Sequence, residues 1–420
     1  MRHWFRKVTE NKTVKQLGPG LITGAADDDP SGIATYSQAG AQFGNDMLWT
    51  VVFTYPLMVG IQMVSARLGC VTGRGLAANI RAVFPKWLLY SIVGALLVAN
   101  TLNIAADVAA MGQALQLLLG GSHHAYALMF GLLCLTLQVF LPYQRYVRYL
   151  RWLTLALLSY VAVVFFIDVP WIDVAKDALV PETAFTAAGT VMIVALFGTT
   201  ISPYLFFWQA AQEVEELRGA KGMMHAPEEA QAHLRRIKSD TWIGMGFSNL
   251  VAFFIILTTA ATLHAHGLTH IQTSAEAAEA LRPIAGDFTF LMFALGVIGT
   301  GMLAVPVLAG SAAYAVTESF DWKSGLDLKL QEAREFYGII AFATLGGVAL
   351  GFTSIDPIQA LIAAALINGV IAVPIMVVMM LLASRKDVLG DFVITRRHRV
   401  GGWAATAMMA AAVVAMFATL

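Results

Sequence analysis

The sequence predicts an all-α polytopic membrane protein of about eleven transmembrane helices, built as two inverted five-helix repeats plus one extra span. Three observations carry this. Hydrophobic residues make up 58% of the 420 and mean hydropathy is +0.68, above the roughly 45–50% apolar content of soluble domains. Lys and Arg collect in every second segment between the apolar stretches. Two of those segments are broken by proline and glycine at matching places. With 27 basic against 27 acidic residues, the basic stripe that nucleic acid requires is missing. The expected surroundings are a lipid bilayer, with no nucleic-acid partner.

A helix crosses the hydrocarbon core with about 20 apolar residues. Such windows fall near 17–43, 47–69, 87–118, 124–141, 149–168, 185–217, 240–263, 286–317, 335–352, 355–382 and 401–419. Longer loops are expected only at 218–239 and 264–284. The polar start, with Arg2, Arg6, Lys7, Lys12 and Lys15, is too long for a signal-peptide n-region, so the first span is expected to be retained. Placing that start in the cytoplasm puts 25 of the 27 Lys and Arg residues on the inner side, leaving Lys176 and Arg282 outside. Positive charge is retained on that side. The expected location is therefore a cell (inner) membrane, with a cytoplasmic N-terminus and an external C-terminus.

The first span contains Asp27-Asp28-Asp29-Pro30-Ser31-Gly32, and the sixth contains Gly198-Thr199-Thr200-Ile201-Ser202-Pro203. Proline removes a backbone donor and glycine permits non-helical angles, so both helices should break. Non-helical backbone at bilayer depth survives where it lines a cavity or is buried in protein. Each break opens a block of five spans, and two odd blocks in series enter the membrane from opposite sides. That is the inverted-repeat plan of secondary transporters. The expected organisation is one membrane domain, with repeats at 17–168 and 185–382 and an additional helix at 401–419.

An ionisable group inside the membrane costs about 2.5–3.5 kcal/mol on insertion scales, which makes it a functional candidate. Asp29 precedes the proline, where freed carbonyls such as that of Ala26 turn toward the same space. Thr199, Thr200 and Ser202 add oxygen on the opposing side, and residues 198–205 hold no Met, Cys or His. An all-oxygen environment suits a hard divalent cation. Asp27 and Asp28 point elsewhere around the helix, as caps or partners of a basic group, or toward the ion path. A carboxylate 4 Å from a dication attracts it by ~8 kcal/mol at an effective dielectric near 20, before desolvation.

Asp29-Pro30-Ser31-Gly32, Ala34-Thr35 and the run Gln38 to Gly44 resemble the first-helix signature of the Nramp divalent-metal transporters, which usually read Asp-Pro-Gly-Asn there. Gly18-Pro19-Gly20 fits the approach to that helix. The resemblance covers most of the chain in span pattern and implies a LeuT-type fold with a metal held between helices one and six. Its ligands fall here on Asp29, Gly32 and Ser202, with the carbonyls of Ala26 and Thr199. The usual Asn and Met side chains are thus replaced by Gly32 and Ser202. Losing a thioether favours Mg2+ over softer metals, and the smaller residues leave room for its water. This looks like the Nramp-related magnesium transporter branch. Proton coupling is expected to be weak, because Tyr204 and Gln209 stand where the family carries His and no Glu follows Asp107 by three residues.

Further candidates are Asp107, with Asn103 one turn earlier as its partner, and Asn368 in the tenth span as cavity wall or interhelical hydrogen bond. His264, His266 and His270 read as a solvated outer loop. Glu213, Glu215 and Glu216 read as the solvated end of the sixth helix. Cys70 and Cys134 read as packing residues, and Trp49 and Trp171 as interface anchors. No phosphate loop, nucleophile elbow or His-Glu-x-x-His occurs, so neither catalysis nor a cofactor is expected. The sequence sets no oligomeric state, and a monomer is compatible with it. The expectation is uptake of a largely hydrated Mg2+, also Mn2+, by alternating access. A proton-coupled Mn2+/Fe2+ symporter is the alternative, and a Na+-coupled organic-solute symporter a more distant one.

Overall fold

The structure is a computed structural model. It describes residues 19–141, 158, 161, 164–166, 169–181, 186–217, 227–269, 271, 274–352 and 357–419. Among these residues there are helices and turns and no strand. Eight stretches of described helix are long and apolar enough to cross a membrane. The first span is two half-helices, α1 (Pro19–Asp27) and α2 (Pro30–Phe43). It is followed by α3 (Leu48–Thr72), a short α4 (Leu76–Val83), α5 (Lys86–Leu119) and α6 (His123–Phe140). The expected fifth span, 149–168, lies almost wholly outside the described residues.

After the short α7 (Trp171–Leu179), the sixth span is again split, into α8 (Ala187–Thr200) and α9 (Pro203–Glu216). Then come α10 (Pro227–Thr262), α11 (Ser274–Phe320), α12 (Arg334–Leu350), α13 (Pro357–Ala383), a single turn α14 (Lys386–Leu389) and α15 (Arg396–Thr419). Two corrections follow. Residues 227–239 and 274–284, expected in loops, are helical continuations of α10 and α11. Helices α4 and α7 also occupy segments expected to be loops. Polar turns leave no trace in an apolar window, and α11 continues through Pro283 and Gly286, where a break would have been read.

Both breaks have the local cause expected of them. Asp29 is extended (φ −69°, ψ 167°) and caps α2, with Pro30 at its first turn, where a missing N–H costs nothing. Ser202 is likewise extended (φ −75°, ψ 127°) before Pro203. The four half-helices sit inside a shell of longer ones: α1 and α2 pack on α10, α8 on α2 and α13, α9 on α3 and α11, and α5 on α11, α12 and α13. Gly198 shows how close this packing is. A Cβ there would lie 2.0 Å from the Ala365 carbonyl oxygen, so α8 and α13 meet backbone to backbone.

Candidate functional site

The two breaks face each other. Asp29 Oδ1 accepts from the Gly32 backbone N–H at 2.6 Å. The Tyr204 hydroxyl, from the first turn of α9, lies 3.1 Å from the Ala26 carbonyl oxygen and 3.4 Å from Asp29 Oδ2. One phenolic proton thus serves the two oxygens that α1 and the break present. From the opposite side comes Thr199: a Cβ at Gly32 would lie 3.3 Å from Thr199 Oγ1, from the Asp27 carbonyl oxygen and from the Tyr36 ring. Asp29, Ala26, Thr199, Ser202 and Tyr204 are all buried, at 3% exposure or less. The centre is therefore closed to both sides in this conformation.

The geometry follows from helix ends. The C-termini of α1 and α8 leave carbonyls without helical partners, and the negative end of each helix dipole lies there. Ala26 and Thr199 carry two of those carbonyls, which suits a cation. Ser202 behaves differently from a free donor: its hydroxyl donates back to the carbonyls of Gly198 (2.9 Å) and Thr199 (2.8 Å). A hydroxyl oxygen that donates still has lone pairs to offer. Thr200 turns away, donating to Leu196 in its own helix at 2.9 Å. Ser31 donates to the Leu361 carbonyl at 3.1 Å, tying α2 to α13.

Asp107 reaches the same interior from α5 and interacts electrostatically with Asp29. The expected partnership with Asn103 is not made: no side-chain nitrogen or oxygen of either residue has a hydrogen-bond partner. Asn368, 2% exposed in α13, also has an unpartnered Oδ1. Asp27 and Asp28 have no basic partner among the described residues and instead share the Ser248 hydroxyl. Sequence reasoning missed both Ser248 and Tyr36. Only folding brings α10 against α1, and an isolated Ser or Tyr in a span carries no signal of its own.

The acidic end of α9 is solvated as expected only at Glu216, which is exposed. Glu213 is 1% exposed and accepts from Arg236 at 2.7 Å. Glu216 takes the other arm of the same guanidinium. Glu215 accepts from the Tyr314 hydroxyl and, at 2.7 Å, from the Leu326 N–H. Folding α10 alongside α9 supplies the arginine. Gln209, in the place of a family His, accepts from Gln62 at 2.5 Å and donates to Thr241 at 3.2 Å. His264 and His266 bond the carbonyls of Ala41 (2.9 Å) and Thr262 (2.5 Å), while His270 lies outside the described residues. His264 also lines a cavity of about 530 Å³ with Asp46 and Asp177. Among the described residues no three His, Cys, Asp or Glu side chains stand together as a metal cluster. Any ion at the breaks must therefore draw on backbone oxygen as well.

The sequence of residues 20–419 matches the family model described as natural resistance-associated macrophage protein-like, Nramp. The chain belongs to the Nramp family. Among curated Nramp-type relatives, it is 26% identical to the divalent metal cation transporter MntH of Klebsiella pneumoniae, over 94% of this chain and 91% of that one. It is 24% identical to the MntH of Caldanaerobacter subterraneus subsp. tengcongensis, over 93% and 90%. The Nramp chain also shares its fold with a manganese transporter of Eremococcus coleocola, at a TM-score of 0.75 and 18% identity over 96% of this chain and 87% of that one. The nucleobase-cation symporter MHP1 has the same overall plan, at a TM-score of 0.59 and 13% identity over 96% and 92%. This Nramp protein is thus a multi-pass membrane protein with the LeuT-type architecture of broken first and sixth helices.

Proposed function

We propose that the chain carries divalent metal ions across the membrane by alternating access, with Mg2+ preferred and Mn2+ also accepted. The observation that carries this reading is the meeting of the Asp29 carboxylate, the Ala26 carbonyl and the Tyr204 hydroxyl opposite Thr199 and Ser202. Every polar atom in that set is oxygen. Hard cations select oxygen, and Mg2+ gives up its water reluctantly. The relatives' names, divalent metal cation transporters, support the same substrate class.

The closed centre has no spare room at Gly32, where three groups crowd the place of a Cβ. A largely hydrated ion therefore enters when α1–α2 and α8–α9 separate from the surrounding helices, and is enclosed with only part of its water. Asp29, Gly32, Ser202 and the carbonyls of Ala26 and Thr199 are the proposed ligating positions. The repeats at 17–168 and 185–382 are the proposed moving halves, in a cell membrane with the Lys- and Arg-rich side inward. Weak proton coupling follows from the Tyr at 204 and the lone acid Asp107.

The relatives also support a second reading, the proton-coupled Mn2+/Fe2+ symporter. Uptake of Mg2+, Mn2+ and Ca2+ in competition, into liposomes with internal pH recorded, separates the two. Mg2+ influx competed by Mn2+ without acidification supports the proposal. Mn2+ influx with acidification, and no response to Mg2+, defeats it. Fold likeness to a cation-coupled organic-solute symporter does not carry function across.

A further inference from the structure

Asp27, Asp28, Asp29 and Asp107 are each 2% exposed or less. The ion pairs among the described residues lie elsewhere, at Arg81, Arg236 and Arg385, and no described basic side chain pairs with these four acids. Unpaired buried carboxylates are costly unless a cation or a proton neutralises them. A single dication beside Asp29 leaves charge uncompensated at Asp27 and Asp28.

Those two acids have an arrangement of their own. The Ser248 hydroxyl, from α10, lies 2.6 Å from Asp27 Oδ2 and 3.1 Å from Asp28 Oδ1. It has one proton and can satisfy one of them. Asp27 Oδ1 and Asp28 Oδ2 are buried with no partner at all. Tyr36 supplies an independent sign. Its ring and the Asp27 carbonyl oxygen each lie 3.3 Å from where a Cβ at Gly32 would stand, and its fully buried hydroxyl has no hydrogen-bond partner among the described residues. That hydroxyl lies within electrostatic reach of Asp27, Asp28 and Asp29. Native proteins leave few buried polar groups unsatisfied, and Asp27 Oδ1, Asp28 Oδ2 and the Tyr36 hydroxyl are three such atoms on one broken span.

We propose that Asp27, Asp28, Ser248 and Tyr36 form a second divalent-cation site, on the α1 side of the break and distinct from the position at Asp29. Two carboxylates match the charge of a dication, whereas a monovalent ion leaves one negative charge buried. All the donors are hard oxygen, so Mg2+ and Mn2+ are the ions it takes. The two sites adjoin at Gly32, whose missing side chain leaves the Asp27 carbonyl and Thr199 within reach of one another. An ion released from Asp29 toward α1 meets Asp27 and Asp28 next. This deepens the transport reading and rests on it for that relay, but not for the binding.

Calorimetric titration of the purified full-length protein with Mn2+, together with anomalous diffraction from Mn2+-soaked crystals, tests the site. The wild type is expected to take two ions per chain. Asp27→Asn/Asp28→Asn is expected to take one, with the peak near Asp29 retained; Asp29→Ala is expected to keep the other. Ser248→Ala, which leaves all four acids in place, should weaken the second ion by roughly fivefold, the size of one lost hydrogen-bonding group. One ion in the wild type, or two in the double Asn variant, overturns the proposal; a proton shared between Asp27 and Asp28 would give the first of these results. One ion in the wild type with transport lost in Asp29→Ala sinks the second site alone. Two ions with transport retained in Asp29→Ala sinks the transport reading alone.

Discussion

At the scale of single residues, Asp29 is a buried carboxylate with no basic neighbour among the described residues. Replacing a buried charge that lacks a counter-charge removes a desolvation cost rather than a stabilising pair. Asp29→Ala sets that relief against the lost cap on α2, worth ~1 kcal/mol, and is expected still to fold, as judged by a monodisperse elution profile and a melting temperature close to that of the wild type. Tyr204 donates its proton to the oxygens that a cation would use, so the phenol competes with the ion. Tyr204→Phe is expected to tighten Mn2+ binding about fivefold, the equivalent of ~1 kcal/mol for one hydrogen bond. Weaker binding on titration would make the phenol oxygen a ligand instead. Ser202→Met places a thioether among the oxygens and is expected to raise Mn2+ uptake relative to Mg2+; an unchanged ratio contradicts the selectivity argument. Asp29 was legible in the sequence because charge before proline in an apolar run is conspicuous. The back-bonded Ser202 hydroxyl and the Tyr204 link to Ala26 were not, since both depend on the angle at which the half-helices end.

At the scale of elements, the two broken helices were legible for the same reason that they break: proline and glycine act locally. What the sequence could not reveal was the pairing of surfaces. Gly198 reads as one of many glycines, yet its Cα marks the contact of α8 with the Ala365 carbonyl and Gly369 of α13. Gly198→Ala is expected to force those helices apart and to cost about 1–3 kcal/mol, as overpacking does. A lower melting temperature in detergent checks it, and an unchanged one argues against that close packing. The polar extensions of α10 and α11 were invisible to a hydropathy window because nothing apolar marks them. Helix α4 was hidden too, although Glu318 from α11 accepts from its Ala78 N–H at 3.2 Å.

At the scale of the whole molecule, charged and polar links tie the half-helices to the shell on the Arg236 side. Arg236 of α10 holds Glu213 and Glu216 of α9. Asp240 of α10 accepts from Gly20 at the start of α1 at 2.7 Å. Glu215 joins α9 to α11 through Tyr314. Opening on that side must loosen these links. Cys70 packs with Leu217 and Ile237 close to Arg236, whereas Cys134 is buried in the main core. Neither thiol is in a disulfide. Arg236→Ala is accordingly expected to speed maleimide labelling of Cys70 several-fold and leave Cys134 unchanged. Equal rates at both would mean general loosening, not gating.

The most direct test of the central claim is Mg2+ influx into liposomes holding the purified protein, read with an internal Mg2+ indicator for wild type and Asp29→Ala side by side. The account predicts saturable influx that Mn2+ competes away, falling in the variant to the rate of protein-free liposomes. Wild-type influx in Asp29→Ala, with the protein folded and correctly incorporated, would contradict it.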